Sequence, residues 1–114
     1  MTIRLQEDAQ RELEDAVDYY NRECPGLGYE FADEVYRTFD RIVDNPEAWH
    51  SLSKRTRRCL THRFPYAVIY QLRPELILVV AIMHLHRHPG TWKGRVSRDK
   101  SFNNLRKVTH ATDL

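Results

Sequence analysis

The chain has 114 residues, 41% of them hydrophobic and 11% aromatic, which suits one globular domain and argues against two. Its longest strongly apolar stretch, residues 76–83, is far shorter than the roughly 20 residues of a membrane helix. The N-terminus turns acidic at once and has no apolar signal core, so we expect a cytoplasmic protein with no membrane partner.

The net charge of +2 conceals a division along the chain. Residues 1–53 carry 5 Lys/Arg against 13 Asp/Glu, whereas residues 54–114 carry 13 Lys/Arg against 3 Asp/Glu. Such asymmetry is typical of a protein whose basic half binds an anionic partner. The alternative, compatible with the first, is that the two halves neutralise each other in the folded domain.

The first half of the sequence predicts a helical hairpin. A weak alternation over residues 2–5 is compatible with a short first strand. Apolar residues then recur at helical spacing over residues 7–22, and again from about residue 28 to residue 44. A Pro-Gly segment over residues 24–28 ends the first helix, and Asn45-Pro46 ends the second. Two amphipathic helices joined by so short a turn need a further apolar surface to cover.

The second half predicts a small sheet. Residues 46–57 have the composition of a polar loop around Trp49. Three strand-like runs follow over residues 58–63, 66–72 and 76–86, with connections short enough for antiparallel hairpins. A short turn or helix is expected near Trp92. The predicted fold class is therefore α+β, with an N-terminal helical hairpin packed on a mainly antiparallel sheet of three to four strands.

Three histidines form the sharpest local motif, His84-x-His86-x-His88. Alternate residues of a strand share a face, and three imidazoles can hold a zinc ion. However, Pro89 follows directly and no carboxylate lies nearby in sequence to orient the ligands. The two cysteines are isolated and fit no zinc or disulfide pattern. We therefore expect no metal and no other cofactor.

Basic side chains form the second cluster, and its members are Lys54, Arg55, Arg57, Arg58, Arg63, Arg87, Lys93 and Arg95. Arg58 and Arg63 are five residues apart, so one regular strand would point them to opposite faces. If the sheet brings Arg63 and Arg87 together, they can bind a phosphate or a carboxylate bidentately. Alternatively, these charges are solvated on strand edges, where they oppose aggregation.

Four segments, taken in order, resemble the ParE/RelE superfamily, the toxins of bacterial type II toxin–antitoxin pairs. They are Ala9-x-x-Glu12-Leu13-x-x-Ala16-x-x-Tyr19-Tyr20, Gly28-x-x-Phe31-x-x-Glu34-Val35, Arg63-Phe64-Pro65-Tyr66-x-x-x-Tyr70 and His84-x-x-Arg87-x-Pro89-x-x-Trp92. The match spans roughly residues 5–95. We therefore expect a toxin domain over residues 1–95 and a basic tail over residues 96–114 that orders only with a partner.

The resemblance implies a cognate antitoxin that wraps the toxin in a hetero-oligomer, and it implies one of two targets. ParE-like relatives inhibit DNA gyrase by binding alone, which the Pro89-x-x-Trp92 ending fits better. RelE-like relatives cut messenger RNA on the ribosome. A third alternative is an inactive module that binds only the antitoxin.

The ribonuclease alternative assigns roles to particular residues. Arg63 and Arg87 would supply cations, and His84 or His86 would act as base or acid. Trp92 best matches the position where such nucleases often carry a terminal acid, and indole donates a hydrogen bond but no proton. Gyrase inhibition without catalysis is therefore the preferred expectation.

The spacing of the aromatic residues distinguishes those expected in the core from those expected to contact a partner. Tyr20 continues the apolar stripe of the first helix, and Tyr66 and Tyr70 share one strand face, so all three are predicted to be core. Trp49 and Trp92 are predicted packing anchors. The residues expected to contact a partner are Tyr19, Arg58, Arg63, Arg87, Trp92 and Arg95.

Overall fold

A computed structural model describes residues 1–87 and 92–95 of the chain. The elements in chain order are β1 (Thr2–Leu5), α1 (Glu7–Glu23), α2 (Leu27–Asp44), β2 (His50–Ser51), β3 (Thr56–Leu60), β4 (Tyr66–Arg73) and β5 (Leu76–His84). A short helical turn follows at residues 92–95, where a turn or helix was expected. The predicted tail over residues 96–114 lies outside the described residues.

The five strands form one sheet in the order β1-β5-β4-β3-β2. Strand β1 pairs with β5 in parallel, and all the other pairs are antiparallel. The predicted α+β class with an N-terminal helical hairpin is confirmed, although the strand count exceeds the expected three to four. Strand β1 corresponds to the short first strand that residues 2–5 allowed, and β2, a two-residue strand at the opposite edge of the sheet, is the one that no pattern indicated.

Strand boundaries depart from the prediction in the second half. The expected polar loop over residues 46–57 contains β2 and the beginning of β3. Strand β3 occupies Thr56–Leu60 and not residues 58–63, because the chain turns after Leu60 to form the loop that precedes β4. Strand β5 ends at His84 and not at residue 86. His86 therefore lies beyond the strand.

The hairpin between α1 and α2 depends on a close approach of the two helices. Gly28 lies against α1 so tightly that a Cβ atom there would collide with the carbonyl oxygen of Val17. Asn21 fixes the turn, because its Oδ1 accepts hydrogen bonds from the backbone N–H groups of Gly26 and Gly28, at 3.2 and 2.7 Å. Gly26 has a φ of 93°, which a residue with a side chain rarely adopts. The side chain that caps the N-terminus of α2 therefore belongs to the preceding helix, α1.

Both helices cover one face of the sheet and form the main core with it. The helices contribute Ala9, Leu13, Ala16, Phe31, Val35, Phe39 and Ile42, and the sheet contributes chiefly Tyr66, Val68, Tyr70, Ile77, Val79 and Ile82. The predicted core positions of Tyr66 and Tyr70 are confirmed, since both are buried. Tyr20 packs against this core, and its ring centroid lies 5.2 Å from that of Phe31.

A bulge in β5 reverses its inward and outward alternation. Ile69 pairs with Ala81 and Tyr70 pairs with Val79, so Val80 has no partner on β4. Before the bulge Val79 faces the helices, and after it Ile82 does so. Because of this shift, the side chain of His84 lies on the helix side of the sheet, opposite Tyr66, instead of on the outer face.

The outer face of the sheet carries a second apolar cluster. Its sheet members are Ala67, Ile69, Leu78, Val80 and Ala81. Trp92 packs against them and is only 9% exposed, which confirms its predicted role as a packing anchor. Trp49 packs against the main core and donates a hydrogen bond from Nε1 to the carbonyl oxygen of Arg41 at 3.3 Å. No helix within the described part of the chain is both long and apolar enough to cross a membrane.

Replacement of Phe31 tests the packing of the main core. The ring is fully buried among Tyr20, Phe64 and Tyr66, with centroid distances of 4.7 to 5.2 Å. We expect Phe31→Ala to lower the free energy of unfolding by about 3–5 kcal/mol, measured by denaturant melts. The matched control is Tyr29→Ala on the exposed side of the same helix, expected to cost less than about 1 kcal/mol. A loss below about 1 kcal/mol for Phe31→Ala would contradict the packing described.

Candidate functional site

A groove opens between α1 and the free edge of β5. Strand β1 covers β5 only over residues 76–79, and the chain then turns away into α1. The remainder of the β5 edge faces α1 across a space of about 340 Å³. The residues that line the groove are Glu12, Asp15, Ala16, Tyr19, Tyr66, Ile82, Met83, His84 and Arg87.

The edge of β5 at the bulge is closed by an ion pair. Glu12 accepts a hydrogen bond through Oε1 from the backbone N–H of Ile82 at 3.0 Å. Arg95 donates to both carboxylate oxygens of Glu12, at 2.8 and 2.9 Å, and to the carbonyl oxygen of Val80 at 3.1 Å. Its Nε atom lies 3.4 Å from Oδ2 of Asp8. Arg95, expected as a partner contact, is thus bound within the chain, and the hydrogen bond to Glu12 is the main cause that raises its pKa.

His84 occupies the open end of the groove. Its Nδ1 atom accepts a hydrogen bond from the backbone N–H of His86 at 3.1 Å, and its ring packs edge-on against Tyr66 with centroids 5.1 Å apart. Burial lowers the pKa of His84 below its ordinary value, and the charges of Arg87 and His86 lower it further. A neutral ring whose Nδ1 accepts a hydrogen bond carries its proton on Nε2. His84 therefore keeps Nε2–H as a hydrogen-bond donor.

The tyrosines of the groove differ in their exposure. Tyr19 is 43% exposed, in agreement with its predicted surface position, and its ring meets that of Tyr20 edge-on at 5.2 Å. Burial raises the pKa of Tyr66 to about 12, so this phenol stays protonated at neutral pH. Of the two tyrosines that line the groove, Tyr19 is therefore the exposed one.

The predicted arginines are distributed over separate parts of the surface. Arg87 lines the groove. Arg63 lies in the loop before β4, where it pairs with Glu30 of α2 at 3.1 Å and lies over the ring of Phe64. Phe64 has a φ of 70°, a left-handed conformation that costs energy for an aromatic residue. No described contact joins Arg63 to Arg87.

Arg58 belongs to the opposite face of the sheet from the groove. It pairs with Ile69, whose side chain lies in the outer apolar cluster. The helices cover the other face, on which His84 is found. A single basic surface that includes Arg58 and the groove is therefore not formed.

The three histidines of the motif are not contained in one strand. His84 ends β5, His86 lies in the turn beyond it, and His88 is outside the described residues. Among residues 1–87 and 92–95, no three His, Cys, Asp or Glu side chains are grouped as metal ligands. Cys24 and Cys59 are both free thiols, the first exposed and the second buried.

Sequence reasoning missed the acidic side of the groove. Glu12 stands in the first segment of the family resemblance, but neither it nor Asp15 received a role, because charged residues that flank an apolar helical stripe are usually solvated. Glu34, in the second segment of the resemblance, received no role for the same reason. It is buried, and its Oε2 accepts a hydrogen bond from the backbone N–H of His62, which ties the loop before β4 to α2.

Comparisons with known proteins agree with this architecture of a helical hairpin on a mainly antiparallel sheet. Residues 3–89 match the family model described as the ParE toxin of type II toxin–antitoxin systems, parDE. The chain therefore belongs to the ParE toxin family. A search of curated proteins finds no significant match.

Among solved structures, the chain is similar to one of the chromosomal ParDE toxin–antitoxin system from P. aeruginosa. The TM-score is 0.67 and the sequence identity is 17%. The alignment covers 75% of this chain and 97% of the other. At this identity the likeness concerns the fold, and about a quarter of the present chain lies outside it.

Removal of Arg95 tests the ion pair at the edge of β5. We expect Arg95→Leu to lower the free energy of unfolding by about 1.5–3 kcal/mol, because it leaves the carboxylate of Glu12 without its charged donor. The matched control is Arg11→Ala, whose pair with Asp8 is solvent-exposed and contributes less than about 1 kcal/mol. Equal losses in the two variants, measured by denaturant melts, would show that the pair does not hold this edge.

The titration of His84 tests the electrostatics of the groove. We expect its NMR titration midpoint to lie below the ordinary value of 6.5 and to rise in Arg87→Ala, which removes a nearby cation. Since the unfolded chain binds this proton more tightly, the contribution of His84 to stability decreases as the pH falls below 6.5. Arg58→Ala, on the other face of the sheet, should leave the midpoint unchanged. A midpoint at or above 6.5 in the native protein would contradict this environment.

Proposed function

We propose that this ParE-family toxin is neutralised by a cognate antitoxin that occupies the groove, and that it inhibits DNA gyrase through protein contacts. The observation that carries the proposal is the character of the groove. It combines an open strand edge, an exposed aromatic ring and hydrogen-bonding side chains, which are the features of a binding surface.

The antitoxin part of the proposal is supported by the unequal pairing of β5. Beyond the ion pair of Glu12 and Arg95, the backbone of Met83 and His84 borders the groove on the side that β1 leaves uncovered. An extended peptide can continue the sheet at such an edge. Tyr19 and Arg87 are placed to contact its side chains, and Arg87 suits an acidic one. The solved ParDE toxin–antitoxin system to which the chain is similar supports the existence of such a partner.

The preference for gyrase over messenger-RNA cleavage is supported by the state of the candidate catalytic groups. A general base needs a free lone pair, whereas His84 has its Nδ1 occupied by the amide of His86. Arg63 is held at a separate loop by Glu30 instead of joining Arg87 around one phosphate. Trp92, at the position expected for an acid, is buried against the sheet. These features favour a toxin that acts by binding alone.

Pulse labelling after induction, in cells that lack the antitoxin, tests the target. We expect DNA synthesis to fall before protein synthesis, and the purified protein to inhibit supercoiling by gyrase. Phe31→Ala, with its core disrupted, serves as the inactive control. A prior collapse of protein synthesis would select the ribonuclease alternative, and undiminished growth would select the inactive module.

Replacement of Tyr19 tests the antitoxin groove. We expect Tyr19→Ala to weaken antitoxin binding by about tenfold or more, because exposed tyrosines often dominate interface energies. Stability should change little since the side chain is half-exposed. Arg22→Ala, an exposed change on the same helix outside the groove, is the matched control. Unchanged affinity of Tyr19→Ala, measured by calorimetry, would place the antitoxin elsewhere.

A further inference from the structure

Helix α2 turns an aromatic and acidic face to the solvent. Tyr29, Asp33, Tyr36 and Asp40 follow one another at helical spacing and are all exposed, so they form one stripe, which we call the Tyr-Asp face. The opposite side of the same helix carries Phe31, Val35 and other core residues. The face is therefore directed away from the domain, and its tyrosines are not needed to build the core.

The two tyrosines are unusually exposed for their size. Tyr29 is 68% exposed and Tyr36 is 51% exposed, which places both among the few large hydrophobic side chains that the described part of the chain leaves in solvent. The ring of Tyr36 is oriented by an edge-on contact with Phe39 at 5.7 Å. Ordered, exposed tyrosines bury a large area on binding at low entropic cost, and they are enriched among the residues that dominate interfaces.

The charges of the face define the chemistry of what would cover it. Asp33 and Asp40 alternate with the tyrosines and outnumber the exposed Arg37 that lies beside them, and neither carboxylate forms an ion pair within residues 1–87 and 92–95. Tyrosine rings and carboxylates together favour Arg and Lys side chains, through cation–π contacts and salt bridges. An acidic segment, by contrast, would be repelled. The complement of this face is a cationic protein surface.

The Tyr-Asp face is distinct from the groove proposed for the antitoxin. The groove is lined by α1, β4, β5 and the turn that follows β5, and α2 contributes no residue to it. The two surfaces can therefore contact different partners.

We infer that the Tyr-Asp face is the surface by which the toxin binds its target, and that it docks on an Arg/Lys-rich protein surface of the kind that contacts DNA phosphates. The inference rests on the proposed function, because gyrase is an enzyme that holds DNA and so must present such a surface. Tyr29 and Tyr36 supply the affinity, and Asp33 and Asp40 supply the complementary charge.

The first test is growth arrest after induction without antitoxin, since this readout requires no assumption about the target. We expect Tyr29→Ala/Tyr36→Ala to abolish growth arrest while its melting temperature and its affinity for the antitoxin remain those of the native protein. Retained growth arrest in this double variant would overturn the inference. A native protein that itself fails to arrest growth would overturn both the inference and the proposed function.

The second test measures binding to purified gyrase at low and high salt. We expect the double tyrosine variant to bind about tenfold or more weakly. We expect Asp33→Asn/Asp40→Asn to bind less tightly at low salt and to show a flatter salt dependence, because fewer charges meet across the interface. The matched control is Asp18→Asn/Glu23→Gln, the same change in charge on the exposed side of α1, which should retain native binding.

The outcomes of the second test separate the two proposals. An equal loss in the α1 control would reveal only a general effect of net charge and would overturn the assignment to α2. If the native protein arrests growth but does not bind gyrase, gyrase is the wrong target. In that case the growth assay alone tests the Tyr-Asp face. The double tyrosine variant must then still fail to arrest growth.

Discussion

The unequal pairing of β5 is the constraint on which the rest of the structure depends. Strand β4 covers one edge of β5 along its whole length, but β1 covers only the first four residues of the other edge. The bulge at Val80 begins where that cover ends. From this point the backbone of β5 must find other partners, and Glu12 and Arg95 supply them at Ile82 and Val80. The groove lies along the part of the β5 edge that β1 leaves uncovered.

The sequence allowed the layers of the fold to be predicted, because each layer has a strong period. The stripes of α1 and α2 repeat at helical spacing over several turns, and β4 is rich in β-branched and aromatic residues. The short strands β1 and β2 lack such length. Strand β2 spans only two residues, His50 and Ser51, and no period can be recognised in so few.

The candidate site was harder to predict because it depends on one irregularity. Strand β5 is apolar on both faces, so its sequence does not reveal which residue the bulge leaves unpaired. Without the position of Val80, the face that His84 occupies cannot be known. The roles of Glu12 and Arg95 were also hidden, because their pairing joins residues at opposite ends of the described chain. Tyr19 could be placed on the surface, since α1 is regular there.

The parallel pairing of β1 with β5 also determines when the domain can be completed during synthesis. The helical hairpin involves neighbouring segments and can form as soon as it leaves the ribosome, whereas residues 2–5 must wait for residues 76–79. Until then neither the bulge nor the edge beside it exists. A nascent or prematurely terminated chain that lacks residues 76–84 therefore lacks the groove, whatever its helices have formed.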